Sequence, residues 1–142
     1  MNGLQKLYII LSACNGHDIK KDLDYTELLE SSLKLNGFDF KRVLGTYKGV
    51  TEPSFLVPYK SNFEKTYLIT LAFDHYNQES ILENDSHGYT YLLYKDGKTE
   101  SKGKLVNVSR EEAVKSESYS IIDGEYYVTT KWKDLHWDWK AV

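Results

Sequence analysis

Two segments of helical period, each flanked by short apolar runs of strand formers, restrict this chain to few folds. Leu7-Tyr8-Ile9-Ile10-Leu11 is apolar throughout and rich in strand formers. It predicts a central strand buried on both faces. Asp24 with Glu27 makes a capping box, and Tyr25, Leu28, Leu29 and Leu33 fall on one helical face. A helix is expected over about Tyr25–Asn36, stopped by Asn36-Gly37. Phe38–Thr46 alternates loosely as a strand, and Ser54–Val57, between Pro53 and Pro58, reads as a short buried one. Ser61 with Glu64 forms a second capping box. Phe63, Tyr67, Leu68, Leu71, Ala72 and Tyr76 then share the apolar face of a helix over about Asn62–Tyr76. Ser80-Ile81-Leu82 follows as a short strand.

Strand, helix, strand, strand, helix, strand is the ferredoxin-like βαββαβ order, and right-handed crossovers put both helices on one sheet face. The expected fold is therefore α+β, with that core over about residues 7–83. A β-hairpin-rich C-terminal extension over about 88–142 completes a single domain. Tyr89–Lys95 and Lys98–Lys104 flank Asp96-Gly97, and Tyr119–Ile122 and Glu125–Lys131 flank Asp123-Gly124, both strong hairpin turns. Ser109 caps one or two helical turns between them.

A chain of 142 residues folds around its own core without a staple. The single Cys14 excludes an internal disulfide framework and points to a reducing compartment. No cleavage site follows the first apolar run, and that run is too short to span a bilayer. The expected location is the cytoplasm, of a host if the source is a phage. The formal charge of −3 and the scattered lysines do not predict direct nucleic-acid binding.

No phosphate-binding glycine loop, nucleophile elbow or metal-ligand spacing occurs. The histidines His17, His75, His87 and His136 are too far apart for a protein-only zinc site, and no cofactor is expected. Three polar segments border predicted strands. Ser12 to Asp18 follows the first strand, where α/β sheets often hold ligands. There Asn15 and His17 offer hydrogen bonds and Cys14 a thiol, although a solvated strand-to-helix loop with a buried, inert cysteine is the simpler reading. Glu52 and Ser54 offer an acid–base group and a donor. Gln78 and Glu79 lie in Asn77-Gln78-Glu79-Ser80, a dense run of amide, carboxylate and hydroxyl that also reads as a helix stop and turn. The ends of strand one and the start of strand four are expected at one rim, with Glu52 at the opposite end. The tail carries Trp132, Trp137 and Trp139, which either anchor a partner or dock on their own domain.

The order of these motifs resembles a family of small bacterial and phage proteins of unknown function, over about Leu7–Leu82. The residues that carry the resemblance are Ser12-Ala13-Cys14-Asn15, the helix ending in Gly37-Phe38, Glu52-Pro53-Ser54-Phe55-Leu56-Val57, and Tyr76-Asn77-Gln78-Glu79-Ser80-Ile81-Leu82. The resemblance singles out Asn15, Glu52, Ser54 and Gln78 and supplies no activity. The family's helix opens with Asn and, three residues on, Arg. Asp22 and Tyr25 stand there in this chain, so an anion-binding role does not carry over.

The absence of catalytic motifs and the twelve Tyr and three Trp point first to a non-enzymatic binding protein. Its partner would be a host or defence protein that it inhibits. The alternatives are a binder of a small nucleotide signal, with Tyr rings stacking a base, and an enzyme acting on nucleotides or nucleic acid through Glu52 and His17. Oligomeric state is not legible.

Overall fold

The computed structural model describes residues 7–14, 18–47 and 49–130. The elements in chain order are β1 (Tyr8–Leu11), α1 (Ile19–Leu35), β2 (Lys41–Tyr47), β3 (Val50–Pro58) and α2 (Asn62–Thr70). The last helix runs on into a π-helical turn, Leu71–His75. Next come β4 (Ser80–Asn84), β5 (Thr90–Tyr94), β6 (Thr99–Gly103), β7 (Leu105–Val108), α3 (Arg110–Ala113), β8 (Ser118–Ile122) and β9 (Glu125–Thr129).

The first helix begins earlier than its apolar spacing suggests. Asp18 caps it, its carboxylate accepting from the Lys21 amide at 2.7 Å, so Asp24 lies inside the helix rather than at its start. Ser61 caps α2 as expected, accepting from the Glu64 amide at 3.1 Å. β3 is longer than the apolar run and includes Pro53. That proline lies beyond Phe55, the last residue of β3 paired with β1, where the strand is locally an edge and a missing donor is tolerated.

Among the described residues all nine strands belong to one antiparallel sheet of order β6-β5-β4-β1-β3-β2-β8-β9-β7. The hairpin-rich half is therefore no appendage. β5 and β6 extend the sheet beyond β4, and β8, β9 and β7 extend it beyond β2. β6 and β7 stand at opposite edges, yet only Lys104 separates them in the chain. Two residues on either side of a single one are at most about 7 Å apart. The sheet must curl until its edges meet. Because every neighbouring pair is antiparallel, β6 and β7 point the same way and act as two halves of one bent strand. Gly103, at φ +78°, makes the bend, beside a register shift between Thr90 and Tyr91. The result is a mixed α/β molecule with a nearly closed antiparallel sheet and few helices.

Strand alternation divides the apolar residues between two faces. Ile9, Leu11, Phe55, Val57 and Ile81 pack outward against Leu29 and Leu33 of α1 and Leu68 and Ala72 of the second helix. Tyr8, Val43, Leu56 and Ile122 fill the inside of the curl, with Ile10, Leu82, Leu105 and Tyr127 packed against them. Leu56 and Val57, adjacent and both buried, mark β3 as covered on both sides. A small third cluster, Val108, Ala113 and Val128, holds α3 on β7 and β9. No helix among the described residues is long and apolar enough to cross a membrane.

Candidate functional site

The pairing decides where the polar segments go. β3 and β4 each run antiparallel to β1, with Leu11 opposite Phe55 and Ile10 opposite Leu82. The starts of β3 and β4 therefore lie beside the end of β1. Glu52 is at the same rim as Gln78, not at the opposite end as the sequence reading placed it. That reading followed the order of strands and overlooked the reversal of direction at each pairing.

At this rim a cavity of about 790 Å³ is walled by Cys14, Tyr47, Glu52, Gln78, Tyr94 and Lys95, among others. A second, inner cavity of about 230 Å³ reaches into the curl of the sheet. The two share Tyr47, Glu52, Gln78 and Ser80. Ser54 lines the inner cavity and Glu79 the outer one. Of the predicted residues, Glu52 and Gln78 thus line both cavities, with Ser54 in the inner one and Glu79 in the outer one. Asn15 and His17, and the partner-binding candidates Trp132, Trp137 and Trp139, lie outside the described residues.

Local structure holds each wall. The π-helical turn closes with the Tyr76 amide donating to Leu71 O at 3.1 Å and the Gln78 amide to Ala72 O at 2.9 Å. Asn77 takes a left-handed φ of +53°. The wide turn swings Gln78 toward β1, where its Nε2 donates to Cys14 O at 2.7 Å. Such turns recur at functional sites. Lys95 Nζ donates to Asn77 Oδ1 at 2.6 Å and the Lys95 amide to Glu79 O at 2.9 Å, which fastens the β5–β6 turn across the mouth. Tyr94 is oriented by donating to Glu100 Oε1 at 2.9 Å. Behind β1, Ser12 Oγ donates to Pro53 O at 3.1 Å and accepts from the Cys14 amide at 2.9 Å.

The pKa values of Glu52, Cys14 and Tyr94 are all shifted upward, Tyr94 chiefly by its hydrogen bond to the Glu100 carboxylate. Burial raises the Glu52 carboxyl above its ordinary value, and the nearby charge of Asp22 raises it further. An ionised Glu52 is poorly solvated and gains from a cation in the cavity. Burial also pushes the Cys14 thiol up, by more than its hydrogen bonds with Thr26, whose Oγ1 lies 3.6 Å from the sulfur, and with Ser12 bring it down. A thiol held protonated is a poor nucleophile. Among the described residues no three His, Cys, Asp or Glu side chains are grouped to hold a metal ion.

Residues 9–130 match the model of the S-adenosylmethionine lyase family. The chain belongs to the S-adenosylmethionine lyase family. No curated protein matches it. Membership in a lyase family overturns the expectation of a non-enzymatic inhibitor of a host or defence component. It agrees better with the enzymatic alternative, although that alternative named nucleotides and nucleic acid rather than a sulfonium. The resemblance to a family of unknown function ended near Leu82. The S-adenosylmethionine lyase match runs on through the β5–β9 half of the sheet, which supplies Tyr94 and the far wall of the inner cavity.

Sequence reasoning passed over Tyr47, Tyr94, Gly45 and Ser120. Gly45 left a signal, because an isolated glycine within a strand marks a close approach or a reserved space. The two tyrosines left none. They belong to strands far apart in sequence, and only the curl of the sheet brings them to one rim.

Proposed function

We propose that this chain cleaves S-adenosylmethionine at the rim cavity without water or redox chemistry. The observation that carries the reading is Glu52: a half-buried carboxylate at the junction of two connected cavities, in a chain of the S-adenosylmethionine lyase family. The substrate has a planar base, a permanent sulfonium charge and a zwitterionic amino-acid end. Tyr47 and Tyr94 offer ring faces for the base, which stacking tolerates without tight geometry. Glu52 offers the anion for the positive end. Gln78 and the Cys14 carbonyl it holds form the wall between them.

A lyase must break the bond from sulfur to Cγ without an external nucleophile. Removing a Cβ proton is disfavoured, since no carbonyl acidifies that carbon and a carboxylate is far too weak a base for it. The remaining route is internal. The α-carboxylate closes on Cγ, the C–S electron pair goes to sulfur, and methylthioadenosine leaves as the lactone of homoserine forms. This displacement cancels a positive against a negative charge, so a site that withdraws water from both favours it. Holding the carboxylate near Cγ replaces an entropic cost with binding. On this reading Glu52 binds and orients the amino-acid end and does not itself take up a proton.

The strand order β4-β1-β3-β2 and the shared helix face support assigning a ferredoxin-like unit to the first six elements, elaborated here into a curled sheet.

The direct test is incubation of the purified chain with S-adenosylmethionine and analysis of products by proton NMR. Methylthioadenosine with homoserine lactone, and no solvent deuterium in either, is the expected result. Vinylglycine, or homoserine whose γ-hydroxyl rather than carboxylate carries the oxygen of heavy-oxygen water, would refute the internal route. No methylthioadenosine at all would refute the activity.

A further inference from the structure

The inner cavity has an unusual construction. Its floor is apolar, set by Ile10 and Leu82, which face each other across β1 and β4. One residue layer nearer the rim, the inward positions become small and polar. Gly45 lies opposite both Glu52 and Ser120, and Ser54 lies opposite Val43. Directly opposed residues share a face and sit within about 4.5–5.5 Å of each other. The hollow therefore exists because Gly45, Ser54, Ser80 and Ser120 are short. Gly45 is not required by the backbone, since its φ is not positive. A methyl group there would lie an ordinary 3.9 Å from Ser54 Oγ and Glu52 O. Small size is what that position contributes.

The chemistry of the two cavities differs. The outer one has Tyr94, with Tyr47 where the two cavities adjoin, both flat faces suited to a base. The inner one has hydroxyls, which donate to a carboxylate, and Glu52 at its neck, which accepts from an ammonium.

We infer that the inner cavity is the subsite for the amino-acid end of the substrate, its depth set by the short side chains at Gly45, Ser54, Ser80 and Ser120, while the adenosine stays outside against Tyr47 and Tyr94. The inference rests on the reading of this chain as acting on S-adenosylmethionine. It makes the small-residue layer a determinant of specificity: ligands with an amino-acid arm enter, and ligands without one gain nothing from it.

The test uses two uncleavable probes, S-adenosylhomocysteine, which carries the arm, and methylthioadenosine, which lacks it. Ser120→Val adds bulk at a strand position where a β-branched residue is well tolerated. It should raise the dissociation constant of S-adenosylhomocysteine at least tenfold by calorimetry and leave methylthioadenosine within twofold. Gly45→Ala, whose methyl meets only ordinary contacts, should act in the same direction by a few-fold and guards against a folding defect in the first variant. Equal weakening of both probes, or weakening of methylthioadenosine alone, would overturn the assignment, as would no change in either. Turnover of S-adenosylmethionine by the unaltered chain is measured separately. Its absence would remove the proposed activity, while the ratio of the two probes still reads the orientation.

Discussion

Gln78 Nε2 and the main-chain carbonyl of Cys14 meet at 2.7 Å, tying the start of β4 to the chain just past β1. The contact spans 64 residues of sequence and joins two of the walls of the rim cavity. Gln78→Leu leaves that carbonyl without its donor, which costs about 1–2 kcal/mol for a partly buried group. A fall in thermal midpoint of a few degrees is expected. Turnover should fall further than stability does, because the wall beside Glu52 loses its anchor. Equal turnover in the folded variant would show that the contact is structural only.

Glu52→Gln keeps the shape and removes the charge. Turnover of S-adenosylmethionine should drop at least tenfold, mainly through KM, if the carboxylate binds the positive end of the substrate. Stability should change the other way. In the folded protein burial, with the charge of Asp22, holds the Glu52 carboxyl above its ordinary value of 4.5. The folded protein therefore holds this proton more tightly than the unfolded chain, and the group subtracts stability as pH rises through the window above 4.5. Glu52→Gln should be the more stable protein at pH 7, and the gap should close as pH falls toward 4. Denaturant midpoints across that range check it.

Glu83 lies on the helix-covered side of β4 and is 2% exposed. Its Oε2 accepts from Tyr59 OH at 2.7 Å and pairs with Lys65 Nζ at 2.8 Å. Lys65→Met strands a buried carboxylate and should cost about 3 kcal/mol, a large share of the stability of a small domain. Removing both charges while keeping an acceptor for Tyr59 OH, as in Lys65→Met with Glu83→Gln, should recover most of that loss. A double-mutant cycle measured by urea unfolding separates the two outcomes.

Gly103 occupies φ +78° where the bent strand passes from β5 to β9. A side chain at that φ costs about 1–2 kcal/mol. Gly103→Val should lower the thermal midpoint by several degrees. It should also speed amide hydrogen exchange in β6 and β7 before the rest of the sheet, because closure is lost first there. Uniform exchange across all strands would contradict the role of this bend.

Much of the local structure could be read from residue order. Ser61 and Ser109 cap helices because their hydroxyls accept from the Glu64 and Glu112 amides, an interaction within four residues. Asp123 and Gly124 both adopt positive φ in the β8–β9 turn, as a tight primed hairpin requires. The β7 strand was not legible: Leu105–Val108 continues the Lys98–Lys104 segment without a turn signal, and its separate identity arises only because it pairs with β9. The start of α1 was misplaced because Asp18 caps it across a polar stretch that hydrophobic spacing does not mark.

By itself, then, the sequence determined most of the helices and strands, though not β7 or the start of α1, as well as where hairpins turn and that Glu52, Ser54, Gln78 and Glu79 are chemically able groups. These depend on backbone preferences and side chains a few positions apart. Tertiary structure decided that those four groups line two adjoining cavities at one rim, that Tyr47 and Tyr94 stand there too, and that Gly45 and Ser120 leave the inner cavity open. The reason is that strand direction alternates at every pairing and the sheet curls until its edges adjoin, and both are fixed by hydrogen bonds between residues distant in the chain.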